Sequence, residues 1–393
     1  MRTYLSLILA VLCIAGFSQK KPKPKLNKVQ PAIEAGDYAT AKTIVDDAID
    51  YEKTMNDPST WFLRGQVYAA LDTANNEPGA LEESLKAFDK AIELDPEQKK
   101  VSSFDLATGG VVNVDTKKQG YYAHYYNAAI TDYNDQNFDG AATNFEAAYM
   151  IMPADTNAIL NAAYAAAGAE QEDRAKENFK KAYEAGSTDK NIFLQLYNYA
   201  LKAEDPEGAL ESIQLGREIY PDDIDLMKYE VNLFIEMERT EEASKGLEEA
   251  IAAEPENADL LFALGVLKEE TGDADAAVAN YKKAIDSDPN HFNANFNLAV
   301  FVFNQANEMN KKKNSLSYYP GKRNYKAEEK KEYDDLQTGI ETSLSEALPL
   351  WEKLYSLNST DQTVLETLSY IYGYLDMNDK AEKISAELDA VKG

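Results

Sequence analysis

The sequence predicts an all-α solenoid of about nine helix–turn–helix repeats, and three regularities carry that prediction. Alanine recurs every 34 residues, at Ala141, Ala175, Ala209, Ala243 and Ala277. Four residues after each stands a bulky apolar side chain (Phe145, Phe179, Ile213, Leu247, Tyr281), and three beyond that a small residue (Ala148, Ala182, Gly216, Ala250, Ala284). Five residues further on, a proline closes four of the five units, at Pro153, Pro221, Pro255 and Pro289, with Ser187 in the remaining one.

Steps of four and three place small, bulky and small residues on one helical face. The small residues admit a neighbouring helix, the bulky one fills the gap between backbones, and the proline cannot continue the helix. The first helix of a unit is clearest at Trp61, Gly65 and Tyr68, the last two within "GQVYAAL", and a whole helix–turn–helix at "ALGVLKEETGDADAAVANYKKAIDSDP", Ala263 to Pro289.

On these residues the chain resembles the tetratricopeptide repeat (TPR) family, whose unit is a 34-residue helix–turn–helix, and more loosely exported bacterial proteins of that family without a defined biochemical role. The resemblance implies a right-handed superhelix, protein binding rather than catalysis, and a groove lined by the first helix of each repeat. It also implies that four positions of each first helix face that groove. These are the expected contacts: Tyr126, Asn127, Asn161, Tyr164, Gln195, Asn198, Tyr229, Asn232, Phe262 and Asn297. Amide side chains both donate and accept, which suits an extended peptide backbone, while the aromatics supply pockets. The same amides could equally serve hydrogen bonding between helices of the array. Relatives that clamp a C-terminal carboxylate use lysines and arginines in this groove, where this chain offers mainly Lys202 and Lys228, so that mode is not expected.

The 393 residues are 44% hydrophobic and carry a formal charge of −28, which marks a folded acidic chain. That balance argues against general nucleic-acid binding, which needs a cationic footprint. Residues 1–18 read as a signal peptide: Arg2, an apolar run from Tyr4 to Phe17, then Ser18. The run is too short for a comfortable membrane span, so export, most simply to a periplasm, is expected. Cys13, the one cysteine, lies in this leader, which leaves the rest of the chain without a disulfide or thiol; lipidation at Cys13 would need a small residue where Leu12 stands.

In chain order, 19–28 is a basic, proline-containing linker; 29–96 holds repeats one and two; and 97–120 interrupts the rhythm. Val111, Val112 and Val114 beside Gly109–Gly110 suggest a turn or short hairpin in that insertion. Residues 121–291 are repeats three to seven, 292–360 an eighth repeat with an extended hairpin, and 361–393 a ninth repeat with a charged C-terminal cap. In the extended hairpin, Lys311–Lys313, Lys322, Arg323, Lys326, Lys330 and Lys331 cluster around a Pro320–Gly321 turn that also holds Tyr318, Tyr319 and Tyr325. Two readings stand: a solvated hairpin whose bases offset local acids, or a docking tip at Tyr318, Tyr319, Lys322, Arg323 and Tyr325 for an acidic or aromatic-accepting partner.

Asp135, Asn137, Asp139, Gly140 and Glu146 fit the calcium-loop pattern D-x-[DN]-x-[DN]-G-x5-E. The repeat register demands helix from Ala141 onward, where a calcium loop must stay open, so no metal is expected there. His124 and His291 stand apart from any metal or nucleophile motif, and no cofactor fingerprint occurs, so neither catalytic residues nor cofactors are expected. The partner is a protein or peptide of unknown identity.

Overall fold

The computed structural model describes residues 22–105 and 110–392. The expected signal peptide at residues 1–18, Cys13 with it, and the first residues of the linker lie outside them. Among the described residues eighteen α-helices follow one another, falling in sequence order into nine pairs. The chain divides into two compact units, Met1–Gln195 and Leu196–Gly393.

The first unit contains α1 (Val29–Glu34) and α2 (Tyr38–Ile49), α3 (Pro58–Asn75) and α4 (Ala80–Leu94), α5 (Val114–Asn134) and α6 (Phe138–Ile151), and α7 (Thr156–Gly168) and α8 (Glu172–Glu184). Helix α9 (Lys190–Lys202) begins in it. Between α4 and α5 the insertion forms an antiparallel hairpin, β1 (Ser103–Asp105) with β2 (Gly110–Val112), Phe104 opposite Val111. Helix α5 starts at Val114, so the last residues of the segment assigned to the insertion are helical, and Asn113 and Thr116 close a capping box at its start.

The second unit continues with α10 (Pro206–Ile219), α11 (Ile224–Glu236), α12 (Thr240–Ala253), α13 (Ala258–Glu270) and α14 (Ala274–Ser287). It ends with the long pair α15 (Phe292–Ser315) and α16 (Ala327–Leu357), then α17 (Gln362–Tyr374) and α18 (Asn378–Lys392).

The repeat register is the packing register. Ala141 and its four equivalents are at most 1% exposed, and Phe145, Phe179, Ile213, Leu247 and Tyr281 at most 4%. Close approach is tightest at glycine: a Cβ on Gly65 would stand 2.4 Å from the Phe88 ring, and one on Gly265 would stand 2.6 Å from Tyr281. Trp351 on α16 is 1% exposed, with Phe296 and Phe303 edge-on at 5.7 and 6.0 Å, and its indole N–H has no partner among the described residues. Trp61, in the first unit, donates its indole N–H to the Met55 carbonyl at 2.7 Å.

Turns repeat as faithfully as cores. Gln136, Glu170, Glu204 and Glu238, spaced by 34, hold left-handed φ between +55° and +61°, and Gly272 takes the next place at +82°. At each, the following N–H reaches back five residues, as from Asn137 to the Asp132 carbonyl at 2.8 Å and from Arg239 to that of Phe234 at 2.7 Å. This is the hydrogen bond that satisfies an orphan carbonyl at a helix C-terminus. The acidic turns are helix caps. Asp205 accepts from the Gly208 N–H and Asp273 from that of Ala276, while Asp155 and Asp223 do the same for first helices.

Candidate functional site

The expected groove residues fall into two classes. In the first unit Asn161 donates to the Tyr126 hydroxyl at 3.1 Å, and the Tyr126 ring lies edge-on to Phe145 at 5.2 Å. In the second, Asn297 donates to the Tyr281 hydroxyl at 3.1 Å, which itself donates to Glu269 at 2.5 Å. Those two amides join helices within the array. Asn127, Asn198 and Asn232 are exposed, and their amides have no partner among the described residues; Gln195 on α9 is half-buried. Tyr229 packs on Tyr197 at 5.1 Å, and Phe262 is held between Tyr281 and His291 at 5.9 and 5.1 Å.

Tyr164 and Asn161 meet Ile130, Tyr133 and Phe145 in a pocket of about 290 Å³. Ile130 and Tyr133 are 42% and 44% exposed there, so α5 shows apolar surface to solvent beside the pocket.

A larger cleft, of about 690 Å³, opens at the other end of α5. Its floor is α3, through Gln66, Ala69, Ala70 and Thr73, with Gln30 and Ile33 of α1 alongside. Lys117, Gly120, Tyr121 and His124 of α5 and Val111 and Val112 of the hairpin line it as well. Among the described residues no carboxylate lines this cleft. The nearest acid on α3, Asp72, receives the hydroxyls of both Tyr121 and Tyr125. Burial first, and Asp72 second, push both phenols well above the ordinary tyrosine range, so they remain protonated donors. In the sequence the insertion reads only as an interruption. Its double glycine and valines signal a hairpin, but nothing local tells that it walls a cleft.

The remaining sequence motifs resolve into structure. Asn137 caps α6, whose helix runs from Phe138, and Glu146 accepts from Arg174 and from Asn178 Nδ2 at 2.6 Å. His291 takes the N-cap place of α15: its Nδ1 accepts from the Ala294 N–H at 3.1 Å and Nε2 lies 3.0 Å from Asp259. His124 is exposed on the cleft wall with its ring edge against Tyr125. Among the described residues no group of three His, Cys, Asp or Glu could hold a metal ion, and no helix is long and apolar enough to cross a membrane.

At the extended hairpin, Tyr318 sits edge-on to Tyr325 and Tyr333 at 5.0 and 5.2 Å, while Tyr319 is 61% exposed. Lysines here are largely matched: Lys311 with Glu308, Lys312 with Glu332, Lys330 with Asp334 and Lys331 with Asp335. Lys322 donates to the Ser317 carbonyl at 2.7 Å, and Arg323 is exposed. Lys313 is buried, donating to Gln337 Oε1 at 2.8 Å and the Tyr374 hydroxyl at 3.1 Å, and so ties α15 to α16 and α17.

A tetratricopeptide repeat model matches residues 26–99, 230–292 and 267–308. No curated protein matches the chain. Among solved structures, the MamA protein is similar at 18% identity over 43% of this chain and 92% of its own, with a TM-score of 0.34. YrrB, described as a TPR protein with an unusual peptide-binding site, is 23% identical over 53% of this chain and 96% of its own, TM-score 0.33. TTC0263, a thermophilic TPR protein of Thermus thermophilus, is 21% identical over 46% of this chain and 98% of its own, TM-score 0.26. With the 34-residue register buried throughout, its turns repeated at the same step and the family model matching residues 26–99 and 230–308, the chain carries tetratricopeptide repeats over those residues within an all-α solenoid fold.

Proposed function

We propose that this protein is an exported, non-catalytic scaffold that holds an extended stretch of partner polypeptide against the first helices of its repeats. The observation that carries this reading is the set of exposed amides at Asn127, Asn198 and Asn232, without a partner among the described residues, where the first-helix amides Asn161 and Asn297 are engaged by tyrosine hydroxyls. An amide left open on a packed helix face offers both a donor and an acceptor to a peptide backbone. The leader, with Arg2 followed by the apolar run Tyr4–Phe17, supports export to the periplasm.

The test is binding by the full mature chain after each amide is replaced. Asn127→Asp, Asn198→Asp and Asn232→Asp remove the donor at a surface site, so the far-ultraviolet circular dichroism stays unchanged. A partner isolated from the envelope should bind the triple variant at least about tenfold more weakly. Unchanged affinity would set the reading aside. N-terminal sequencing of the protein from a periplasmic fraction checks export; a chain still beginning at Met1 would refute it.

A second reading rests on Tyr319 and Tyr325, 61% and 46% exposed at the extended hairpin. Here the protein is a structural subunit of an envelope assembly that docks through this tip and its convex face. Loss of partner binding on deletion of residues 318–325, with the amide variants silent, would favour it.

A further inference from the structure

The first unit carries a more specific site, and its assignment rests on the polypeptide-binding reading above. Val111 and Val112 are consecutive residues of β2, so their side chains point to opposite faces of the hairpin. Both border the 690 Å³ cleft. Contact with two successive residues of one strand is what a cavity running along a strand edge would make. The hairpin has two strands, so β1 pairs one edge of β2 and leaves the other without a strand among the described residues. A strand edge with open N–H and C=O groups is a template for a further strand.

The lining states what kind of strand. On a chain with 68 acidic and 40 basic residues, the described lining of the cleft shows no carboxylate. Lys117 is exposed, its ammonium unpaired among the described residues; His124 faces the same space, and Gln66 adds a free amide. The acid nearby on α3, Asp72, is capped by two tyrosine hydroxyls. An anionic segment is therefore complementary here, whereas the rest of this acidic surface repels it.

Helix α5 sets the length of the occupant. Gly120, His124, Asn127, Thr131 and Asn134 follow one stripe at steps of three and four. His124 borders the large cleft and Asn134 the 290 Å³ pocket, and the open amide of Asn127 lies between them. Ten helical residues span about 15 Å, the reach of about four or five residues of extended chain.

We propose that the first unit binds an acidic, extended segment of a partner polypeptide, which adds as a third strand to the free edge of β2 and places an apolar side chain, about four or five residues along, in the pocket formed by Ile130, Tyr133, Phe145 and Tyr164. Asn127 holds the backbone between the two anchors.

A library of random decapeptides selected against the full mature chain tests this without knowing the partner. The expected winners carry Asp or Glu followed, about four or five residues later, by a large apolar residue. The best of them, fluorescein-labelled, should weaken about tenfold or more with Lys117→Glu and with Ile130→Asp, both at exposed positions, and should be indifferent to Asn198→Asp in the other unit. N-methylation of alternate backbone amides in its acidic half should abolish binding, because a third strand needs those donors while side-chain docking does not. Unchanged thermal melts for both variants separate loss of binding from loss of fold. Peptides that bind but ignore Lys117→Glu, Ile130→Asp and N-methylation would overturn this site while leaving polypeptide binding standing. A selection that returns no binder would count against both. Winners that copy a stretch of this chain, with dimers in sedimentation, would replace the foreign partner by a second copy.

Discussion

Arg174 reaches back one repeat to Glu146 with two parallel contacts, Nε to Oε1 and Nη2 to Oε2, each at 2.8 Å. The carboxylate that completes a calcium-loop pattern in sequence is thereby the acceptor of an inter-repeat fork, joined by Asn178. Burial opposes the charged form of Glu146, and the hydrogen bonds from Arg174 and Asn178 outweigh it, leaving the pKa below the ordinary glutamate value of 4.5. A lowered folded pKa means that the stabilisation is complete above pH 4.5 and drains as the pH falls through the folded value. Glu146→Gln is expected to cost about 1–2 kcal/mol at about pH 7 and less at about pH 3, which lies below the ordinary glutamate value where the advantage begins to drain. Urea titrations of both proteins at the two pH values check this; an equal gap at both would refute it. Chelation is expected to leave the melting temperature unchanged.

The left-handed turns offer the opposite sign. Glu204 and Glu238 hold φ of +55° and +56°, a conformation that costs a residue with a Cβ about 1 kcal/mol or more. Glycine relieves that cost and gives part of it back through a freer unfolded chain. Glu204→Gly and Glu238→Gly should each stabilise by about 0.5–1 kcal/mol, and Gly272→Ala should destabilise by about 1–2 kcal/mol. Denaturant midpoints at constant slope provide the comparison.

Gly265 is present for the opposite reason, since its backbone is ordinary helix but a Cβ would stand 2.6 Å from the Tyr281 ring. Tyr281 is 1% exposed and its hydroxyl is fixed by Glu269 and Asn297, so the ring has little freedom to retreat. Gly265→Ala, which raises helix propensity, is nevertheless expected to lose about 1–3 kcal/mol. A gain in stability would show that the two helices can part without cost.

His291 fills a place held by Asp or Asn in the neighbouring repeats and works as an N-cap through Nδ1. His291→Ala should cost about 1 kcal/mol, and His291→Asn should retain most of it, because its carbonyl can accept the same N–H. Equal loss in both variants would assign the residue's worth to its ring contact with Phe262.

Much of this architecture is legible in the sequence because it depends on neighbours at fixed spacing. Ala141 and Phe145 share a face by helical geometry alone, and their burial follows. The matched lysines of the extended hairpin follow the same logic, since Lys330–Asp334 and Lys331–Asp335 are helical neighbours four apart. The site is another matter. Asn127 and Asn161 occupy the same repeat position, yet one amide is open and the other is held by Tyr126 from the preceding repeat. No local pattern separates them, because the difference lies in which side chain stands across from each. The cleft is hidden for the same reason: Val111 and Val112 announce a strand, but only packing tells what its edge faces.

Trp61 and Trp351 are the two tryptophans of the chain, and they stand in different units and different surroundings. The first has its indole N–H hydrogen-bonded near solvent; the second is sealed among phenylalanines with that group unmet by any described residue. Each unit therefore carries one intrinsic fluorophore, with emission from Trp351 to the blue of Trp61. A ligand that grips the first unit will delay the thermal transition seen by Trp61 in a Trp351→Phe background, and a Trp61→Phe background reads the second unit by its own emission.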